Sequence, residues 1–169
     1  MAAMTDSRAS QAFNAVVNAD TRVLMLGSLP GRTSLRENRY YAHPQNQFWR
    51  LMSGVTGLDL VSLNYDDRLD ALLKAGVGLW DVIASAHRRG SLDSAILSPE
   101  IRDLPGMITA LPDLRALAFN GGTALRYGLK QIGEPSPLPV LGLPSSSAAH
   151  TIGIGAKQKI WDEVRAYLV

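Results

Sequence analysis

The chain has 169 residues and no cysteine. That removes disulfides, thiolate nucleophiles, cysteine-ligated zinc and iron–sulfur clusters from consideration. Histidine is scarce, and His43, His87 and His150 are too scattered to form a metal-ligand spacing. Neither a metal nor a cofactor is expected. No apolar run approaches the roughly 18 residues of a membrane span. The amino terminus, Met1-Ala2-Ala3-Met4-Thr5-Asp6-Ser7, lacks the basic-then-apolar form of a signal peptide. A cytoplasmic location is the default expectation. Charge of one sign is lacking too: the net value is +2, with a pI near 9.1. This leans only mildly toward anionic partners. The basic groups Arg32/Arg36/Arg39, His87-Arg88-Arg89 and Lys157/Lys159 each read first as solvated surface.

What remains is an ordinary globular composition, 46% hydrophobic, long enough for a substantial core. One domain over residues 1–169 is expected, with residues 1–7 as a flexible tail and a monomer as the default. Apolar runs at Arg22–Leu26, Val77–Ile83, Leu114–Phe119 and Val140–Leu143 read as four strands. Helical spacing predicts helices from Ser7 or Arg8 to Asn18, Pro44 to Val55, Arg68 to Ala75, Gly121 to Lys130 and Ala156 to Leu168. A broken helix is expected over Pro99–Ala110, where Pro105-Gly106 interrupts it. Strands alternating with helices imply an α/β fold, a three-layer α/β/α sandwich around a four-stranded parallel sheet.

Three strand ends carry unusual polar residues. They are Gly27-Ser28-Leu29-Pro30-Gly31, Leu79-Trp80-Asp81, and Leu143-Pro144-Ser145-Ser146-Ser147-Ala148-Ala149-His150. In a parallel sheet these ends gather at one edge, where open α/β sheets bind ligands. The result is a pocket floored by backbone, with Asp81 at depth and hydroxyls at the rim. Tyr40-Tyr41-Ala42-His43-Pro44-Gln45-Asn46-Gln47-Phe48-Trp49 adds aromatics, an Asn and a helix-opening proline.

Taken in order, these pieces resemble the uracil-DNA glycosylase superfamily. Ser91-Leu92-Asp93 and Phe119-Asn120-Gly121 extend the match over most of the chain. The long Tyr-Tyr-Ala-His-Pro segment looks most like the hypoxanthine-DNA glycosylases, also called DNA-deoxyinosine glycosylases. The resemblance implies a repair enzyme that flips a deaminated base out of DNA and hydrolyses its glycosidic bond, without a cofactor. Its partner is then DNA carrying such a base.

The resemblance also implies roles residue by residue. Tyr41 matches the aromatic on which relatives stack the base, and Tyr40 reads as core. Asn46 matches the catalytic Asn of the hypoxanthine branch. Many relatives instead carry a catalytic Asp or Asn where this chain has Leu29, which can only wall the pocket. Asn46, expected one turn into its helix, is then required to aim a water at C1′ through its carbonyl oxygen, which is catalysis by positioning. The local alternative is an Asn that satisfies backbone at a helix start.

Asp81 falls where relatives use an Asn to read the base. A carboxylate accepts the N–H of hypoxanthine or uracil and rejects the lone pair of adenine or cytosine. Its charge opposes a departing base anion, which a purine avoids by protonation at N7. Alternatively, burial raises its pKa and it donates as a neutral acid. Gly27, Ser28 and Leu29 contribute backbone to base binding. Ser145, Ser146, Ser147 and His150 are the DNA-binding candidates. Two departures stand out: Leu143 replaces a His found in many relatives, and Ala148 and Ala149 are too small to act as a wedge. His43 reads as orienting the helix start, and Asn120 as tying loops together.

Three other readings compete with this one. A non-catalytic DNA- or nucleotide-binding module fits the loss of polar groups at Leu29 and Leu143. An α/β hydrolase lacks its Gly-x-Ser-x-Gly elbow, and the order Asp, Ser, His is not the hydrolase order. A dinucleotide enzyme fails because Gly27-x-x-x-Gly31 is not Gly-x-Gly-x-x-Gly.

Overall fold

The run Val23–Gly27 (β2) is apolar at every step because both of its faces are covered. Val23 and Met25 enter one core, Leu24 and Leu26 the other. β3 (Val77–Asp81), β6 (Ala116–Asn120) and β7 (Val140–Leu143) complete a parallel sheet in the order β3-β2-β6-β7. The same alternation runs through β6, where Ala116 and Ala118 face one core and Leu117 and Phe119 the other. Sheets covered on both sides favour such continuous apolar strands. The computed structural model describes residues 10–88, 91, 93 and 96–169.

On the first face lie α2 (Phe48–Thr56), α3 (Tyr65–Lys74) and α6 (Ile154–Trp161), followed by a 3-10 helix over Asp162–Tyr167. Phe48, Leu51, Met52 and Val55 form the buried stripe of α2, and α6 contributes Trp161. On the second face lie α4 (Leu104–Ala110) and α5 (Gly122–Ile132). Here Phe119 packs so close to α5 that its ring leaves no room for a β-carbon on Gly128. A short helix, α1 (Arg32–Glu37), follows the first polar turn. The expected three-layer α/β/α sandwich with four parallel strands is the observed architecture.

A second sheet goes beyond the sequence expectation. β1 (Ser10–Gln11), β4 (Ile83–Arg88) and β5 (Ile96–Ile101) pair antiparallel in the order β1-β4-β5. Three sequence expectations change with it. Residues 10–18 form no helix; the chain there is extended, and Val16 exchanges two backbone hydrogen bonds with Leu79, both 2.9 Å. Phe13 and Val16 face the first core, while Ala12, Ala15 and Val17 face the second. Apolar spacing alone did not separate that alternation from a helix. The segment also covers the otherwise open edge of β3.

The run Val77–Ile83 is two strands rather than one. Val82 and Ile83 still donate to the carbonyls of Gly27 and Ser28, and from Ile83 the chain pairs antiparallel with β5 instead. Pro99 lies in β5, an edge strand where a missing N–H is tolerated. The helix starts only at Leu104, where the Asp103 side chain accepts from Gly106 N at 3.0 Å. The expected tail and the start of the predicted first helix lie outside the described residues, as do Arg89 and Leu92.

Among the described residues no helix is long and apolar enough to cross a membrane.

Candidate active site at the carboxyl edge of the sheet

The carboxyl ends of β2, β3 and β6 deliver Gly27, Asp81 and Asn120 to one cavity of about 360 Å³. Its lining includes Ser28, Leu29, Tyr41, Asn46, Asp93, Ser145, Ser146 and Ser147. Of the residues singled out in the sequence as a site, His150 alone is not part of that lining; it is exposed further along the loop.

Asp81 is the last residue of β3 and only 3% exposed. Its neighbour in register on β2 is Gly27. A β-carbon on Gly27 would lie 2.6 Å from Asp81 Oδ1 and 3.2 Å from the Tyr41 hydroxyl. Only a bare α-carbon leaves room for both groups. Ser28 donates its hydroxyl to Asp93 Oδ1 at 2.7 Å. Arg32 N donates to Ser91 Oγ at 2.9 Å. The first polar turn is thereby fastened to the loop between β4 and β5, and a second carboxylate joins the wall. Leu29 is buried and packs into the second core, so it walls the cavity without polar chemistry.

The two tyrosines part company. Tyr40 is core: its ring meets Phe13 edge-on, and its hydroxyl donates to the Asn14 carbonyl at 3.0 Å. Tyr41 has φ +53°, a left-handed conformation that is strained for a bulky residue. Its half-buried ring stacks on Phe48 with centroids 3.8 Å apart and planes 13° apart. Phe48 thus braces one ring face. Burial raises the Tyr41 pKa above its ordinary value, and the charge of Asp81 raises it further. The hydroxyl stays protonated.

Asn46 is not inside a helix; α2 begins at Phe48, with Gln47 as its cap residue. Its Oδ1 accepts from Phe48 N at 3.0 Å and from Ser146 Oγ at 2.9 Å. An N–H can only donate, so Phe48 fixes which end of the amide is oxygen. Both lone pairs of that oxygen are engaged. A water held by the carbonyl oxygen, the sequence-based expectation, therefore has no place on it; the group Asn46 has left to offer is its NH₂. The local backbone role and the pocket position coexist in one side chain.

Ser146 corrects another expectation. It is 1% exposed. Its backbone N donates to Asn120 Oδ1 at 2.9 Å, and its hydroxyl accepts from Asn120 Nδ2 at 2.9 Å. Its carbonyl accepts from Gln47 N at 2.9 Å. Every polar group of Ser146 is used internally, so it ties the site together and has nothing to give a phosphate. Asn120 also donates to the Tyr41 hydroxyl at 3.4 Å, and is the loop tie expected of it. Ser145 accepts from Ser147 N, and Ser147 Oγ accepts from Ala149 N. Those two hydroxyls keep their own protons to donate outward. His43 Nδ1 accepts from Gln45 N at 3.1 Å, which shapes the approach to α2.

Two participants escaped the sequence reading. Asp93 enters the sequence pattern only as part of a motif. Lys157, expected at the surface, is fully buried, and its Nζ donates to Gln47 Oε1 at 2.8 Å and to the Ser147 carbonyl at 3.2 Å. Its helical position opposite a loop 10 residues earlier carried no local signal. Among the described residues no group of acidic or histidine side chains is arranged to hold a metal ion.

The sequence profile of the uracil DNA glycosylase superfamily matches residues 15–165. The hypoxanthine DNA glycosylase of Methanosarcina barkeri is 37% identical over 155 residues, covering 90% of this chain and 96% of that protein. The hypoxanthine DNA glycosylase of Methanosarcina acetivorans is 38% identical over 154 residues, covering 90% and 95%. A solution NMR structure from Methanosarcina acetivorans, provisionally described as a uracil DNA glycosylase, superimposes with a TM-score of 0.83 at 36% identity. That superposition covers 95% of this chain and 99% of the other. With its sheet, its polar edge and these relatives in agreement, the chain belongs to the uracil DNA glycosylase superfamily.

Proposed function

We propose that the protein is a monofunctional DNA glycosylase, acting as a single-domain monomer, that flips a deaminated nucleotide from DNA and hydrolyses its glycosidic bond. Hypoxanthine is the preferred base, with uracil and xanthine the bases to compare. The observation that carries this reading is Asp81, a carboxylate at the bottom of a cavity that also presents the Tyr41 ring. The printed names of the two Methanosarcina relatives support it.

The extruded base stacks on the face of Tyr41 that Phe48 does not cover. A ring already braced and held in a strained backbone loses little entropy on binding. Asp81 accepts the N1–H of hypoxanthine. Adenine presents a lone pair at that position and is repelled. Leu29 closes the wall.

Hydrolysis passes through a sugar with oxocarbenium character. The two carboxylates of the lining, Asp81 and Asp93, stabilise that positive charge and oppose an anionic leaving group. A purine protonated at N7 from solvent leaves neutral, and the proton shed by the attacking water returns to solvent; uracil has no comparable basic nitrogen. The charge of the cavity therefore favours hypoxanthine over uracil. Asn46, with its oxygen pinned by Phe48 and Ser146, seats the water on its NH₂ group. The water keeps a lone pair for C1′, and placement matters more than basicity against so reactive a carbon. Ser145, Ser147 and His150 meet the flanking phosphates, Ser146 having withdrawn from that role.

The test uses end-labelled oligonucleotides carrying one hypoxanthine, uracil or xanthine, followed by alkali cleavage at abasic sites. Strand breaks at hypoxanthine above those at uracil are expected. Tight binding of the same duplex with no base released would replace the enzyme with a binding module. Hydrolysis of a small ester or nucleoside, with DNA untouched, would overturn both.

A further inference from the structure

Lys157 lies in α6 with no exposed surface. Its hydrogen-bond partners, the Gln47 side-chain oxygen and the Ser147 carbonyl, are both neutral. Among the described residues no carboxylate forms an ion pair with it. Burial pulls its pKa below the ordinary lysine value. A buried cation without a countercharge is unfavourable, and an apolar side chain of similar length fills the same space without that penalty.

Its surroundings suggest where the charge is used. Between Lys130 and Lys157 the chain contains no Lys or Arg. The Ser145–Ser147 loop therefore has no strongly basic side chain of its own, although it borders the cavity. The Lys157 ammonium donates directly to the Ser147 carbonyl. The N–H of that same peptide unit belongs to Ala148, another residue of the cavity wall. Donation into a carbonyl polarises the peptide and strengthens its N–H as a donor.

We propose that Lys157 is a buried electrostatic anchor for the DNA backbone: through the Ser147–Ala148 peptide it supplies the positive charge on which one phosphate seats against the serine loop. It is a positioning residue, acting through that peptide and through Gln47, the residue next to Asn46. The inference rests on the DNA-binding reading above and deepens it.

The experiment compares wild type, Lys157→Met and Gln47→Leu. Each is titrated onto a duplex carrying one hypoxanthine at several salt concentrations, and its folding is followed by thermal melting. Gln47→Leu cuts one side of the clamp but keeps the charge. Lys157→Met is expected to bind about tenfold more weakly at low salt, with a log–log salt slope about one shallower. Gln47→Leu is expected to keep the wild-type slope. A wild-type slope in Lys157→Met, or the shallower slope in both variants, would reduce Lys157 to a structural tie. Should Lys157→Met lack a cooperative melt, Lys157→Gln, neutral but able to hydrogen-bond Ser147, carries the same comparison. Wild-type protein that neither binds this duplex nor releases its base would instead remove the functional reading itself.

Discussion

The two ends of the parallel sheet are made of the same strands and treat polar groups in opposite ways. At the amino end, Asn18, Asp20, Arg22, Asp70 and Lys74 surround an open groove, and Asp20, Asp70 and Lys74 stay exposed to water. Arg22 serves backbone there: its N donates to Gly76 O and its carbonyl accepts from Arg115 N. At the carboxyl end, Ser28, Ser34, Asp81, Asn120, Ser146 and Lys157 are all buried. Among the described residues the other buried polar side chain is Thr21, at the amino end. Burying polar groups is unfavourable unless they are hydrogen-bonded. The fold meets that condition with bonds such as Ser28 to Asp93 and Ser146 to Asn46 and Asn120, and it gathers these groups at the end where a ligand can make use of them.

The sharpest way to break this contrast is at Asn46. Asn46→Ala is expected to slow single-turnover base release about 100-fold or more, because the nucleophile loses its seat. DNA affinity should change only a few-fold. An unaltered rate at saturating enzyme would leave Asn46 as a mere tie between Phe48 and Ser146.

A pair of glycines sets one end against the other. Gly27→Ala forces a methyl to within 2.6 Å of Asp81 Oδ1. It should cost about 1–3 kcal/mol of stability and at least tenfold in excision rate per folded molecule. Gly76→Ala, at φ +87° by the groove, should cost about 1–2 kcal/mol through backbone strain and leave the rate of the folded fraction intact. Chemical denaturation and active-site titration separate the two quantities. Equal rate losses would mean that the ends are not functionally distinct.

Asp81→Asn sharpens the comparison at the level of the base. An amide can present either a donor or an acceptor, so discrimination between hypoxanthine and adenine should fall about tenfold, with binding of undamaged duplex unchanged. Competition between the two oligonucleotides measures this. A uniform loss on every base would deny Asp81 its reading role. The smallest effect belongs to Asp70→Asn, on the exposed groove. Stability should stay within about 0.5 kcal/mol, and excision should not change. A measurable loss of activity would show that the groove takes part after all.

Much of this was readable before folding, and for identifiable reasons. Four apolar strands alternating with helices imposed the parallel sheet, and the sheet brought Gly27 and Asp81 into register at one edge. The resemblance already separates Tyr40 as core from Tyr41 at the site, and their environments differ accordingly, one hydroxyl on Asn14 and the other meeting Asn120. The antiparallel sheet escaped notice because residues 10–18 space their apolar side chains to serve two cores at once. Pro99, read as helical, is acceptable in β5 only because that strand is an edge.

Residue order alone settled the layered α/β architecture and which polar clusters would meet, since strand periodicity and parallel connection are local properties with a single geometric outcome. Which atom of each cluster is left for chemistry was decided by tertiary contact. The bonds from Ser146 to Asn46 and from Lys157 to Gln47 join positions 100 and 110 residues apart. Those contacts use up the Asn46 oxygen, withdraw Ser146 from the surface and bury a lysine. Hydrogen-bond saturation and desolvation depend on what folding places alongside a group, and neighbours in sequence carry no record of it.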